Sequence, residues 1–93
     1  MRLVNVTAAD IKHGQANIKR GLRKSTNCAI SLALQRVFHV EHIFWGYYTG
    51  SVGTKNICVF SDERDIVVKF VFKHDRLEKV KPFKFYVEDQ KSA

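Results

Sequence analysis

The stretch KRGLRKSTNC, residues 19 to 28, sets Lys19, Arg20, Arg23 and Lys24 just ahead of Ser25, Thr26 and Asn27 and then runs into the apolar AISLAL. Cations and short hydroxyl or amide donors at the mouth of a helix suit an anion, because the first backbone N–H groups are unpaired and the dipole end is positive. A phosphate is the natural occupant, and Arg36 farther along is counted with the same set. The stretch is not a Walker A loop. That motif needs Gly immediately before Lys-Ser/Thr so that backbone N–H groups wrap the phosphates, and here Leu22 and Arg23 separate Gly21 from Lys24 and Ser25. The plain alternative is a solvated basic loop that holds nothing.

Aromatic side chains offer a second kind of contact. Ile43, Trp45 and Tyr47 alternate with Phe44, Gly46 and Tyr48, so one set can line a core while the other meets solvent. A Trp45 or Tyr47 ring beside cations would stack a base, at about 1–3 kcal/mol per base. Burial of both faces by helices or by a second copy is the competing expectation, and a homodimer is among the expected assemblies.

Other chemistry finds little support. Cys28, at a helix start with Arg23 and Lys24 nearby, has the setting of a stabilised thiolate, but no acid or base is fixed to it by spacing. His39, Glu41 and His42 fall at a helix-to-strand junction instead of on one helical face, so no zinc-protease motif results and no metal is expected. Asp62, Glu63 and Asp65 read as first-turn charges rather than an acid–base pair. The expectation is a binding protein, not an enzyme, without a cofactor.

Charge points the same way. The net charge is +7, yet residues 1 to 40 hold seven Lys or Arg against Asp10 alone, +6, while the other 53 hold nine basic and eight acidic side chains. A clustered positive potential attracts polyanions and speeds their encounter. Two cysteines in apolar stretches argue for reduced thiols, and nothing reads as a signal peptide or membrane span. A cytoplasmic protein with no membrane contact is expected.

The elements that must hold these residues follow from periodicity. RLVNVT alternates as a short strand; Thr7 caps a helix AADIKHG that Gly14 is expected to close, leaving residues 14 to 24 as a basic loop. Ser25, Thr26 or Asn27 is expected to cap the broad apolar helix CAISLALQRVF. Aromatic and β-branched runs flank TGSVG, whose glycines permit a hairpin turn. Residues 62 to 74 fit either a strand or a helix by pattern; Ser61, Asp62, Glu63 and Asp65 favour the helix, since a first turn welcomes negative charge. Pro82 opens a final alternating strand, PFKFYVED. The result is one α+β domain over 1–89, β-α-α-β-β-α-β, an antiparallel sheet with helices on one face, and a loose tail at 90–93. At 93 residues such a domain buries roughly two-thirds of its unfolded surface, so self-association or a ligand would add to a modest stability.

Three short motifs resemble a family of small tailed-bacteriophage proteins that carry Asp-Ile-x-x-Gly, then Cys-Pro-Ile-Ala-Leu-Ala, then Pro-Phe-x-Phe. Asp10, Ile11 and Gly14 match the first, Cys28, Ile30, Leu32 and Ala33 the second, and Pro82, Phe83 and Phe85 the third. Ala29 and Ser31 depart from it, standing where the family has Pro and Ala. The resemblance implies an α+β fold and a phage accessory gene acting in the bacterial host cytoplasm, a setting in which small proteins often inhibit or sequester a component of host defence. The combined expectation is a non-enzymatic protein that holds an anionic host factor, either a nucleotide signal or an acidic protein surface. The alternative is a sequence-independent DNA or RNA binder.

Overall fold

The computed structural model describes residues 1–41 and 43–89. Its elements are β1 (Arg2–Val6), α1 (Ala8–Lys19), α2 (Lys24–Asn27), α3 (Ala29–Phe38), β2 (Phe44–Trp45), β3 (Thr49–Val52), β4 (Lys55–Val59), a 3₁₀ turn (Ser61–Glu63), α4 (Arg64–Asp75) and β5 (Phe83–Asp89). The class is α+β. Five strands form one antiparallel sheet in the order β1-β5-β4-β3-β2. The tail expected at 90–93 lies outside the described residues, and among those described no helix is long and apolar enough to cross a membrane.

Alternation sorts the faces. Val4, Val6, Phe85 and Val87 are buried while Leu3, Asn5, Lys84 and Tyr86 are exposed, so β1 and β5 turn one face to the core and the other to water. With Ile57 and Val59 of β4 they join Ile11 of α1, Ile30, Ala33 and Leu34 of α3, and Val67 and Phe70 of α4 in a single apolar cluster. Burial of this set is the main favourable contribution to folding.

Several local readings hold. Thr7 caps α1 through a capping box: its hydroxyl accepts from the Asp10 N–H at 3.2 Å, and its own N–H donates to Asp10 Oδ2 at 2.9 Å. Residues 64 to 75 are helical, as the acidic start implied. That start is a 3₁₀ turn without a side-chain cap, and Glu63 Oε1 instead accepts from the Tyr86 N–H at 2.8 Å.

Three boundaries differ. α1 does not close at Gly14 but continues to Lys19, because Gly14 is where α1 meets its neighbours: a Cβ there would lie 2.6 Å from the Ala29 nitrogen and 2.8 Å from Nε2 of buried His74. The glycine is required by a close approach, not by a turn. TGSV is itself β3, and the hairpin turn falls at Gly53-Thr54, where Gly53 takes φ +63°. Gly50 stays within the strand because Trp45 covers it; a Cβ would stand 2.6 Å from the indole ring. The third difference is α2, a short turn of helix inserted ahead of α3.

Candidate functional site

The extension of α1 reshapes the basic segment. Arg20 caps α1, Gly21 turns the chain at φ +79°, and the Leu22 N–H returns to the Asn17 carbonyl at 3.0 Å. What remains is a tight turn between α1 and α2 instead of a long loop. Lys19, Arg20, Arg23 and Lys24 are exposed on it, and among the described residues none lies within 4.0 Å of a carboxylate. Their mutual repulsion is left uncompensated by the protein, which favours an external anion.

The polar residues that follow are spent on structure. Asn27 Nδ2 donates to the Arg23 carbonyl at 2.9 Å, and Asn17 Nδ2 donates to the Asn27 carbonyl at 3.2 Å. Ser31 Oγ donates to the Ile43 carbonyl at 2.7 Å, while Gln35 Nε2 reaches the Thr26 carbonyl at 3.1 Å and Ser31 Oγ at 3.2 Å. Ser31 thus ties α3 to the chain entering β2, and Gln35 ties it to α2. Neither position carried a signal in the sequence beyond being polar on an apolar helix.

None of Ser25, Thr26 and Asn27 caps α3. Cys28 does, its Sγ accepting from the Ser31 N–H at 3.5 Å, and Cys28, Ala29 and Ile30 are buried. The amides at the start of α3 therefore face the interior, and the expected anion site at that helix end is not present at the surface. Burial also pushes the Cys28 thiol up to about 11, so it is protonated at neutral pH and lacks the character of a reactive thiolate.

Two more sequence candidates change role. Trp45 is 3% exposed, with its ring centroid 6.1 Å from that of Phe85, and it has no face to offer a base. The alternation was right for Ile43 and Trp45, but the strand ends at Trp45 and Tyr47 leaves the pattern, 54% exposed. Arg36 is committed to Asp10, which its two terminal nitrogens clasp at 2.8 and 3.0 Å, and it also donates to the Asn5 carbonyl at 2.8 Å. Burial alone would raise the Asp10 carboxyl; the hydrogen bonds from Arg36 and Thr7 outweigh it and hold the group below its usual range.

The sheet and α2 enclose a shallow groove of about 410 Å³. Ser25 of α2, Thr49 and Ser51 of β3, Asn56 of β4 and Phe44 of β2, which is 51% exposed, line it. A groove of this volume suits a small ligand, and its lining mixes hydroxyl and amide groups with one aromatic ring. Of the sequence-derived candidates, Ser25 and buried Trp45 thus share one depression, next to the segment bearing Arg23 and Lys24. Among the described residues no three His, Cys, Asp or Glu side chains gather closely enough to hold a metal ion; His42 lies outside them. The chain matches no protein-family model, no curated protein and no solved structure.

Proposed function

We propose that this chain is a non-enzymatic binding protein that holds an anionic partner, a nucleotide in first place, on the α1–α2 turn and the groove beside α2. The observation that carries this reading is the set of exposed cations, Lys19, Arg20, Arg23 and Lys24, with no carboxylate within 4.0 Å among the described residues, next to a groove lined by Ser25 and Phe44. Phosphates are held by the cations and a base by the exposed ring of Phe44. Trp45 has no part in it. The resemblance to phage proteins adds the setting: a bacterial host cytoplasm, and a partner drawn from host defence, whether a nucleotide signal or an acidic protein surface.

Native mass spectrometry of protein purified gently from expressing bacteria tests this directly. A discrete added mass in the range of a nucleotide, lost in the double variant Arg23→Glu/Lys24→Glu with an unchanged circular-dichroism spectrum, is the expected result. Retention of the same mass by that variant removes the turn from the site. If the cations instead track a nucleic-acid backbone, the protein travels bare, and four phosphate contacts give duplex binding a slope of log K against log salt of roughly −3 to −4.

A further inference from the structure

A second cationic surface lies on α4. Tyr47, in the turn after β2, and Phe72, on α4, are 54% and 45% exposed, yet their ring centroids are 5.1 Å apart and tilted by 32°. The Arg76 guanidinium stands 5.9 Å from the Phe72 centroid. The pair and the cation use part of this ring surface between them, and the exposed remainder is open to a partner.

Beside it runs a groove of about 330 Å³ between α4 and residues 79 to 83. Its rim is Lys69, Lys73, Lys79 and Lys81; its floor includes Phe70 and Phe83. No acidic side chain lines it, and among the described residues none of the four lysines is within 4.0 Å of a carboxylate. Arg76 is less free, with Glu78 at 3.8 Å. The segment carrying Lys79 and Lys81 is held in place: Leu77 turns it at φ +63°, and Gln15 Nε2 from α1 donates to the Glu78 carbonyl at 2.8 Å. Lys69 precedes Phe72 by three residues, which makes the two side chains neighbours on the helix surface, and Lys73, one turn beyond Lys69, lines the groove with it.

We propose that this surface binds single-stranded nucleic acid, with bases stacked on Phe72 and Tyr47 and the backbone running through the lysine groove. Two features together select that partner. Four lysines without a carboxylate within 4.0 Å among the described residues call for a polyanion, and exposed rings beside them gain from stacking on free bases, which a single strand offers and a duplex does not; polyglutamate, a polyanion without rings, separates charge from stacking in the test. The surface is separate from the α1–α2 turn, and it stands or falls independently of the function proposed there.

The test is fluorescence anisotropy with a labelled oligothymidylate of about 15 nucleotides, enough to span one such platform. The wild type is expected to bind with a log–log salt slope of roughly −3, the value for four lysine contacts on a single strand. Lys69→Glu/Lys73→Glu should weaken binding roughly tenfold or more, and Arg23→Glu/Lys24→Glu should leave it unchanged. Phe72→Ala should weaken it roughly fivefold or more while Phe72→Trp retains it, because stacking survives in the second. All these side chains are exposed, so the variants fold. Loss on Arg23→Glu/Lys24→Glu with retention on Lys69→Glu/Lys73→Glu would assign the strand to the other turn and overturn the proposal. Equal affinity of Phe72→Ala and wild type, or equal competition by polyglutamate of matched charge, would overturn it too, since either outcome means charge without stacking.

Discussion

Arg36 on α3 clasps Asp10 on α1 with both ends of its guanidinium, at 2.8 and 3.0 Å. Asp10 is 6% exposed and already spends Oδ2 on the Thr7 N–H, so one carboxylate caps its own helix and pins α3. The pair takes the one early acidic side chain out of play and leaves the cations of the α1–α2 turn uncancelled.

The linkage has a definite sign. The Asp10 carboxyl is held below its usual value in the folded chain, so its contribution to stability is fully present above the ordinary carboxylate range and is lost as pH falls through the lowered value. Urea midpoints recorded from neutral pH downward should fall on acidification for the wild type and much less for Asp10→Asn. At neutral pH the substitution should cost about 1–3 kcal/mol, a range kept low because the Arg36 side chain is half exposed and solvent screens it. An Asp10→Asn profile parallel to the wild type would dismiss the coupling.

Gly14→Ala should destabilise, against helix propensity. Alanine in the middle of a helix is favoured over glycine by about 1 kcal/mol, but here the added methyl meets backbone at Ala29 and the buried His74 ring. Overpacking of this kind costs about 1–3 kcal/mol, and α1 must move from α3 to relieve it. A rise in melting temperature for Gly14→Ala would show that the two helices have room to spare.

Ser31→Ala suits an apolar helix by composition and should nonetheless weaken this chain. It strips the buried Ile43 carbonyl of its 2.7 Å donor and Gln35 of one acceptor, at a cost of about 1–3 kcal/mol. Chemical denaturation measures the loss. A neutral result would mean that Gln35 swings over to replace the hydroxyl.

Where the sequence could be read, the signal was local. Thr7 and Asp10 sit at capping-box spacing, Asp62, Glu63 and Asp65 mark the start of a helix that the apolar pattern left open, and Phe83, Phe85 and Val87 alternate as β5 does. Where it misled, the deciding contact was distant. Gly14 resembles a helix stop until Ala29 and His74 are seen against it, and Gly50 resembles a turn until the Trp45 ring fills the space above it. Reading Cys28 as the first residue of a helix hid its role as the cap. The lysine groove was illegible for the same reason: Lys69 and Lys73 meet Lys79 and Lys81 only because the chain doubles back at Leu77.

The order of the sheet bears on how the chain comes to be made. β5 is latest in sequence and sits between β1, the earliest strand, and β4, pairing Arg2 with Val87 on one side and Val59 with Val87 on the other. On a ribosome β1 emerges first and waits for its partner through the synthesis of every other element. The strand that joins β1 to the rest of the sheet is the last of the five to be made, and until it is in place β1, with Val4 and Val6, has no strand to pair with. Such late, long-range closure slows folding and prolongs exposure of apolar strand edges, so a nascent chain halted before Phe83 is a target for chaperones and proteases rather than a smaller working version of the protein.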